Sequence, residues 1–306
     1  MNKFLISVSM MAASFFSVAS SASANTAALN IFACEPEWGA LAQALGGDRV
    51  SIYVATTAKQ DPHQIQAKPS LLVQVRRANL VVCTGAELES AWLPLVLRQA
   101  GNGAVQPSSP GYFEAADYVQ KLGVPVVLDR AAGDVHAAGN PHIHTDPRNI
   151  ARIATALAQR LADIDPANAA FYQSRYRDFS TRWQAAIERW ERAAAPLQGV
   201  VVVSHHSYFL YLDHWLGLNT VAQLEPKPGV PPTSAHLVSM QTLLQNQPAR
   251  MILRGPYNSE RPSAWLSERT KIPEVLLPGT VGGSDQAKDL FSLFDDTVAR
   301  LLAALK

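Results

Sequence analysis

Short apolar runs alternate with amphipathic stretches along most of this chain. In the first half, residues 30–34, 50–55, 79–83 and 124–128 read as strands, and 38–45, 69–77 and 87–99 as helices, with Gly46-Gly47 and Gly101 closing two of them. Such alternation predicts βαβ units around a parallel sheet. The second half repeats it, with strands at 200–203, 219–224, 251–254 and 275–277 and helices at 208–216, 235–245, 263–270 and 287–305. Between the halves the texture changes to a helix over 147–162 and a longer one over 166–195. In the longer one Tyr172, Tyr176, Phe179, Trp183, Ile187 and Trp190 recur at spacings of three and four, which makes one apolar face. The 29 residues from Ala167 to Ala195 would reach roughly 43 Å at 1.5 Å per residue, longer than one lobe of this size is wide. The predicted fold class is therefore α/β, two lobes, each a parallel sheet flanked by helices, joined by one long rigid linker helix. The expected boundaries are an N-terminal lobe over 25–165, a linker over 166–195 and a C-terminal lobe over 196–306, with the aromatic stripe packing against both lobes.

Composition narrows the setting. The 306 residues are 48% hydrophobic and 17% charged, enough for real cores and unlike a disordered chain. Lys and Arg number 26 against 25 Asp and Glu, a net charge of +1, so nothing favours nucleic acid or an anionic membrane as partner. Lys3, an apolar run over 4–19 and then Ala22-Ser23-Ala24 form a signal-peptide pattern, with cleavage expected after Ala24. The run is shorter than the roughly 20 residues a membrane span needs, and four serines interrupt it. No Cys follows the expected cleavage point, which argues against a lipid anchor. The expectation is an exported, periplasmic chain.

In an oxidising compartment Cys34 and Cys83 could pair, since each ends an apolar run, but strand ends often miss the required geometry and the pairing stays open. Familiar catalytic signatures are missing, among them G-x-S-x-G, G-x-x-x-x-G-K, G-x-G-x-x-G and H-E-x-x-H. What stands out is histidine in loops: Asp61-Pro62-His63, Asn140-Pro141-His142-Ile143-His144 and Ser204-His205-His206. Loops at the carboxyl ends of parallel strands are where such folds bind ligands, and imidazoles from distant segments can converge on a borderline metal.

With these motifs in this order, the mature sequence resembles the periplasmic metal-binding receptors that serve zinc and manganese ABC transporters. The resemblance runs through Asp61-Pro62-His63 with Pro69-Ser70 after it, Asn140 to Pro147 with His142 in register, and His206 followed by Tyr211 and Gly217-Leu218. It extends to the proline-rich stretch 225–232 and the long helix. It implies metal ligation by His63, His142 and His206 and a fourth, carboxylate ligand near the last helix, for which Asp285 is the candidate. Asp289, Glu225 or water are the alternatives, and Asp285 could instead be a helix N-cap. His205 falls one place out of register. Three imidazoles and one carboxylate favour Zn2+ over Mn2+, which prefers more oxygens; in manganese-type members the third position is typically Glu. The loop between the first two ligands, 131–139, is short and carries Asp134 and His136; His136 reads as a surface residue, with assistance in metal capture as the alternative. The implied function is a non-enzymatic zinc receptor, monomeric, that captures Zn2+ between its lobes and delivers it to the membrane permease of a zinc ABC importer. A periplasmic zinc metallochaperone is a further candidate partner. A secreted zinc hydrolase with a three-histidine site, and an adhesin or metallochaperone on the same scaffold, are the rival readings.

Overall fold

The computed structural model describes Met1, residues 28–126, 133 and 135–306. The signal segment, Asp134 and the end of the expected strand 124–128 lie outside the described residues. The alternating runs form two four-stranded parallel sheets. In the first, β1 (Leu29–Ala33), β2 (Val50–Val54), β3 (Leu80–Cys83) and β4 (Tyr112–Glu114) lie in the order β2-β1-β3-β4. In the second, β5 (Val201–Ser204), β6 (Asn219–Gln223), β7 (Met251–Arg254) and β8 (Glu274–Leu276) lie in the order β6-β5-β7-β8. The two halves thus share one topology. Strands β3 and β7 are buried along their whole length, as continuous apolar runs covered on both faces must be.

The helices are α1 (Pro36–Gly46), α2 (Pro69–Arg77), α3 (Leu93–Ala100), α4 (Pro147–Ile164), α5 (Ala169–Ala194), α6 (Leu210–Leu216), α7 (Ser234–Asn246), α8 (Glu260–Thr270) and α9 (Leu290–Ala303). Proline in the first turn of α1, α2, α3 and α4 supplies a preset φ where no amide partner is needed. Two expectations are corrected. Helix α3 starts at Leu93 and not at residue 87, because Ala86 and Glu87 hold φ of 49° and 68°, left-handed backbone that breaks a helix. The fourth strand of the first sheet is β4, pairing Val81 with Tyr112; residues 124–126 are irregular.

Helix α5 joins the halves as the periodicity predicts. Tyr172, Phe179, Trp183, Ile187 and Trp190 are buried, while Tyr176 is half-buried and bonds Thr155 at 2.7 Å. Toward the N-terminal half, Trp183 Nε1 donates to the Pro147 carbonyl at 2.8 Å. Toward the C-terminal half, Trp190 Nε1 donates to Asp295 of α9 at 2.6 Å, and the Trp183 ring meets Phe291 and Phe294. One apolar core consequently runs from β1 and α1 through α5 to β5 and α9. Among the described residues no helix is long and apolar enough to cross a membrane.

Cys34, just past β1, and Cys83, at the end of β3, form a disulfide, with Cα atoms 4.8 Å apart. Parallel pairing of β1 with β3 and the bond from Cys34 N to the Val82 carbonyl at 2.9 Å bring the two side chains to adjacent positions. The bond closes a loop with a sequence separation of 49. Restricting the unfolded chain by such a loop is worth about 2–4 kcal/mol, so a Cys34→Ala/Cys83→Ala variant should lose that amount in urea denaturation. An unchanged midpoint and slope would show that the bridge does not form in solution.

Candidate metal centre

Three histidines from three loops meet where the halves face each other. His63 lies in the loop after β2, His142 precedes the turn at Ile143–Thr145 that leads into α4, and His206 follows β5 directly. Each backbone is fixed by a short polar side chain nearby. Asp61 Oδ1 accepts from His63 N at 3.0 Å, Asn140 Oδ1 accepts from His142 N at 2.9 Å, and Ser204 Oγ donates to the His206 carbonyl at 2.6 Å. These are the local turns that Asp, Asn and Ser make with neighbouring backbone.

Nitrogen atoms of His63, His142 and His206 all lie within 4.8 Å of one another, and the three side chains are buried. Their rings stand edge to face, with centroids 5.5 to 6.1 Å apart. His63 Nδ1 faces Asp61 Oδ1 at 2.7 Å, and His206 Nδ1 faces Glu225 Oε2 at 2.7 Å. A carboxylate on Nδ1 selects the tautomer with an unprotonated Nε2, whose lone pair can bind a metal ion. The third histidine is different: neither Nδ1 nor Nε2 of His142 has a hydrogen-bond partner, although the residue is 1% exposed. An unmet buried polar group costs about 1–3 kcal/mol. Burial, followed by the neighbouring imidazoles, pushes the His142 pKa well below the ordinary value, which keeps the ring neutral. For Asp61, burial pushes the carboxyl upward, but the hydrogen bonds and charge of His63 outweigh it and lower the pKa.

His136 joins the cluster, with its Nε2 3.2 Å from His63 Nε2 and the ring centroids 5.2 Å apart. Of the two roles its position in the loop between the first two histidine motifs allows, surface or metal capture, the structure places it beside His63. Asp285, in contrast, is not brought to the histidines. It is exposed, in the turn region before α9, and the N-cap of that helix is Asp289, whose carboxylate accepts from Ser292 N at 2.7 Å. The three-histidine group contains no carboxylate, because Asp61 and Glu225 stand behind the rings on their Nδ1 sides.

Two neighbouring histidines do other work. His144 lies between Glu37, 3.1 Å from its Nδ1, and the Tyr208 hydroxyl, 2.9 Å from its Nε2. His205 is buried with Nδ1 unpartnered and Nε2 3.9 Å from Glu225, too far to hydrogen-bond. Burial pushes its pKa down to about 4. Cys34, Cys83 and Glu89 also lie together, but the disulfide leaves no thiolate to ligate. Beside that bridge, burial pushes the Glu89 carboxyl up to about 7.

The profile of the family described as zinc-uptake complex component A, periplasmic, matches residues 31–304. Among curated relatives, the metal ABC transporter substrate-binding lipoprotein SloC of Streptococcus mutans is 19% identical over 81% of this chain and 80% of its own length. The manganese ABC transporter substrate-binding lipoprotein PsaA of Streptococcus pneumoniae is 20% identical over 75% of this chain and 72% of its own. Among solved structures, a crystal structure of ZnuA superposes with a TM-score of 0.76 at 20% identity, covering 91% of this chain and all of that one. A periplasmic metal-binding protein from Candidatus Liberibacter asiaticus gives 0.72 at 16% identity, covering 90% and 99%. These likenesses reach the fold.

The depressed imidazole fixes the sign of a pH effect on the metal-free protein. His205 has a folded pKa of about 4 against an ordinary value of 6.5, so below pH 6.5 the unfolded chain binds the proton first. Stability therefore falls as pH drops from 6.5 to 4. Glu89, raised from 4.5 to about 7, acts oppositely, its contribution falling as pH rises through that range. Comparison with His205→Gln cancels the Glu89 effect. Wild type should lose stability relative to that variant between pH 6.5 and 4, measured by chemical denaturation with metal removed. A difference that does not change with pH would mean that the His205 ring is hydrated.

Proposed function

The chain belongs to the periplasmic zinc-uptake component A family, metal-binding receptors of ABC importers and not enzymes, and from that premise we propose that it is a zinc receptor holding one Zn2+ on His63, His142 and His206. The observation that carries this reading is His142, fully buried beside two other imidazoles with both ring nitrogens unpartnered. A cation at the centre of the three rings would satisfy it. Carboxylates behind His63 and His206 orient those rings.

Zinc is preferred over manganese on the donor set. Three neutral imidazoles suit a tetrahedral borderline ion, whereas Mn2+ favours a site richer in oxygen. Several relatives are named for manganese, but Glu225 here is bound to His206 and Gly229 N, so it supports a ligand and does not replace one. We assign the fourth position to His136, whose Nε2 lies 3.2 Å from His63 Nε2. Delivery follows from ligands carried by both halves: docking on a membrane permease that disturbs either half loosens the grip. In keeping with relatives named as substrate-binding lipoproteins of transporters, the proposed setting is the periplasm, after removal of residues 1–24.

Calorimetric titration of the metal-stripped protein tests this. One Zn2+ should bind per chain, with Mn2+ much weaker, and His63→Ala, His142→Ala and His206→Ala should each lower zinc affinity by about 100-fold or more. Asp61→Ala and Glu225→Ala should each cost about 10–100-fold, the range for orienting carboxylates. His136→Ala should weaken binding at unchanged stoichiometry, and Asp285→Ala should leave it alone. Equal affinity for Mn2+ and Zn2+ would overturn the metal assignment. A large loss in Asp285→Ala would return the fourth position to that carboxylate.

A further inference from the structure

A cavity of about 570 Å3 opens beside the histidine cluster on the side of the supporting carboxylates, in the range of small-molecule sites. It shares Asp61, Glu225, Gly229 and Tyr257 with the small hollow between His63 and His206, so the two have a wall in common. Metal capture by imidazole nitrogens does not account for a space of this size.

Its wall has three kinds of chemistry. Asp61 and Glu225 present carboxylates. Opposite in charge, Arg261 lies in the first turn of α8, whose N-cap residue Ser259 makes no side-chain capping bond. A helix start without a capping side chain offers unpaired amides and the positive end of the helix dipole to an anion. Glu260 of the same turn is exposed and does not line the cavity. The remainder is apolar, with Trp265 and Leu237 among the lining residues. Two buried polar atoms on lining residues lack partners: His205 Nδ1, on a side chain 5% exposed, and the Tyr257 hydroxyl. Such orphan groups are uncommon in folded proteins, and here they lie just behind the cavity wall, shielded from solvent.

We propose that this cavity binds a small zwitterion, an α-amino acid with an apolar side chain, and that its occupancy weakens the hold of the histidines on metal. The ligand carboxylate fits the α8 start and Arg261. Its ammonium fits Asp61 and Glu225, and its side chain fits the Trp265 wall. An ammonium at these carboxylates competes with His63 Nδ1 and His206 Nδ1 for the oxygens that orient the rings, which is the source of the coupling. Binding of the zwitterion stands by itself, whereas the coupling rests on the metal-receptor reading above.

Calorimetry with the mature chain, metal-free and zinc-loaded, tests both parts, using L-leucine as probe with N-acetyl-L-leucine and L-leucinamide as controls. L-Leucine should bind, and each control, lacking one charge, should bind at least tenfold more weakly. Arg261→Ala should weaken L-leucine at least tenfold and leave zinc affinity measured without leucine unchanged. Saturating leucine should lower the zinc affinity of wild type about tenfold, the low end for loss of an orienting carboxylate, and zinc should lower leucine affinity by the same factor. Chelation of zinc by free leucine is separated because it affects Arg261→Ala equally. No binding of L-leucine, or equal binding of the N-acetyl form, overturns the cavity assignment. Leucine binding with unaltered zinc affinity overturns the coupling. Failure to bind zinc at all while leucine binds defeats the receptor reading and leaves the cavity standing.

Discussion

The three clustered histidines belong to loops far apart in the chain, so their meeting depends on how firmly the two sheets are held against each other. The aromatic face of α5 does that holding. Trp183 is bonded to the start of α4 on one side and packed on Phe291 and Phe294 of α9 on the other, while Trp190 reaches Asp295. Large buried aromatic rings with a satisfied polar tip combine much apolar burial with directional bonds. A helix of 26 residues fixed along its length cannot act as a loose hinge. Small adjustments of the halves are what the architecture permits, and a small adjustment is enough to change the spacing of the three imidazoles, whose nitrogens lie within 4.8 Å of one another.

Closer to the site, the seam between the halves is polar and well paired. Tyr211 donates to the Asn140 carbonyl and accepts from Leu122 N, and Asn140 Nδ2 donates to the Ser207 carbonyl. Thr280 donates to Glu37, which in turn lies beside His144. Residues adjacent in sequence to His142 and His206 therefore carry bonds that cross the seam. A disturbance of one half is transmitted to the clustered histidines through their backbone neighbours.

The same arrangement explains why two adjacent histidines differ. His206 turns its Nδ1 to Glu225 and joins the cluster, whereas His205 is buried toward the neighbouring cavity. Consecutive residues leaving a strand point to opposite sides. A hydrogen bond from Glu225 N to the His205 carbonyl fixes the carboxylate's own segment beside both.

Much of this was legible in the order of residues. The parallel αβ alternation, the buried stripe of α5 and the choice of the three histidines that cluster rest on periodicity and on short local motifs, which act over a few residues and so are written in the sequence itself. His206 could be distinguished from His205 because the register of Tyr211 and Gly217-Leu218 is a linear property. Tertiary structure alone decided the rest. Strand β4 is three residues long and carries too little pattern to stand out, and α3 begins late because Ala86 and Glu87 adopt left-handed backbone. Pairing of Cys34 with Cys83 required β1 and β3 to be neighbours in parallel register. His136 reached the cluster and Asp285 stayed at the surface because long-range packing, which no local spacing encodes, sets the distance between a loop of one half and a turn of the other.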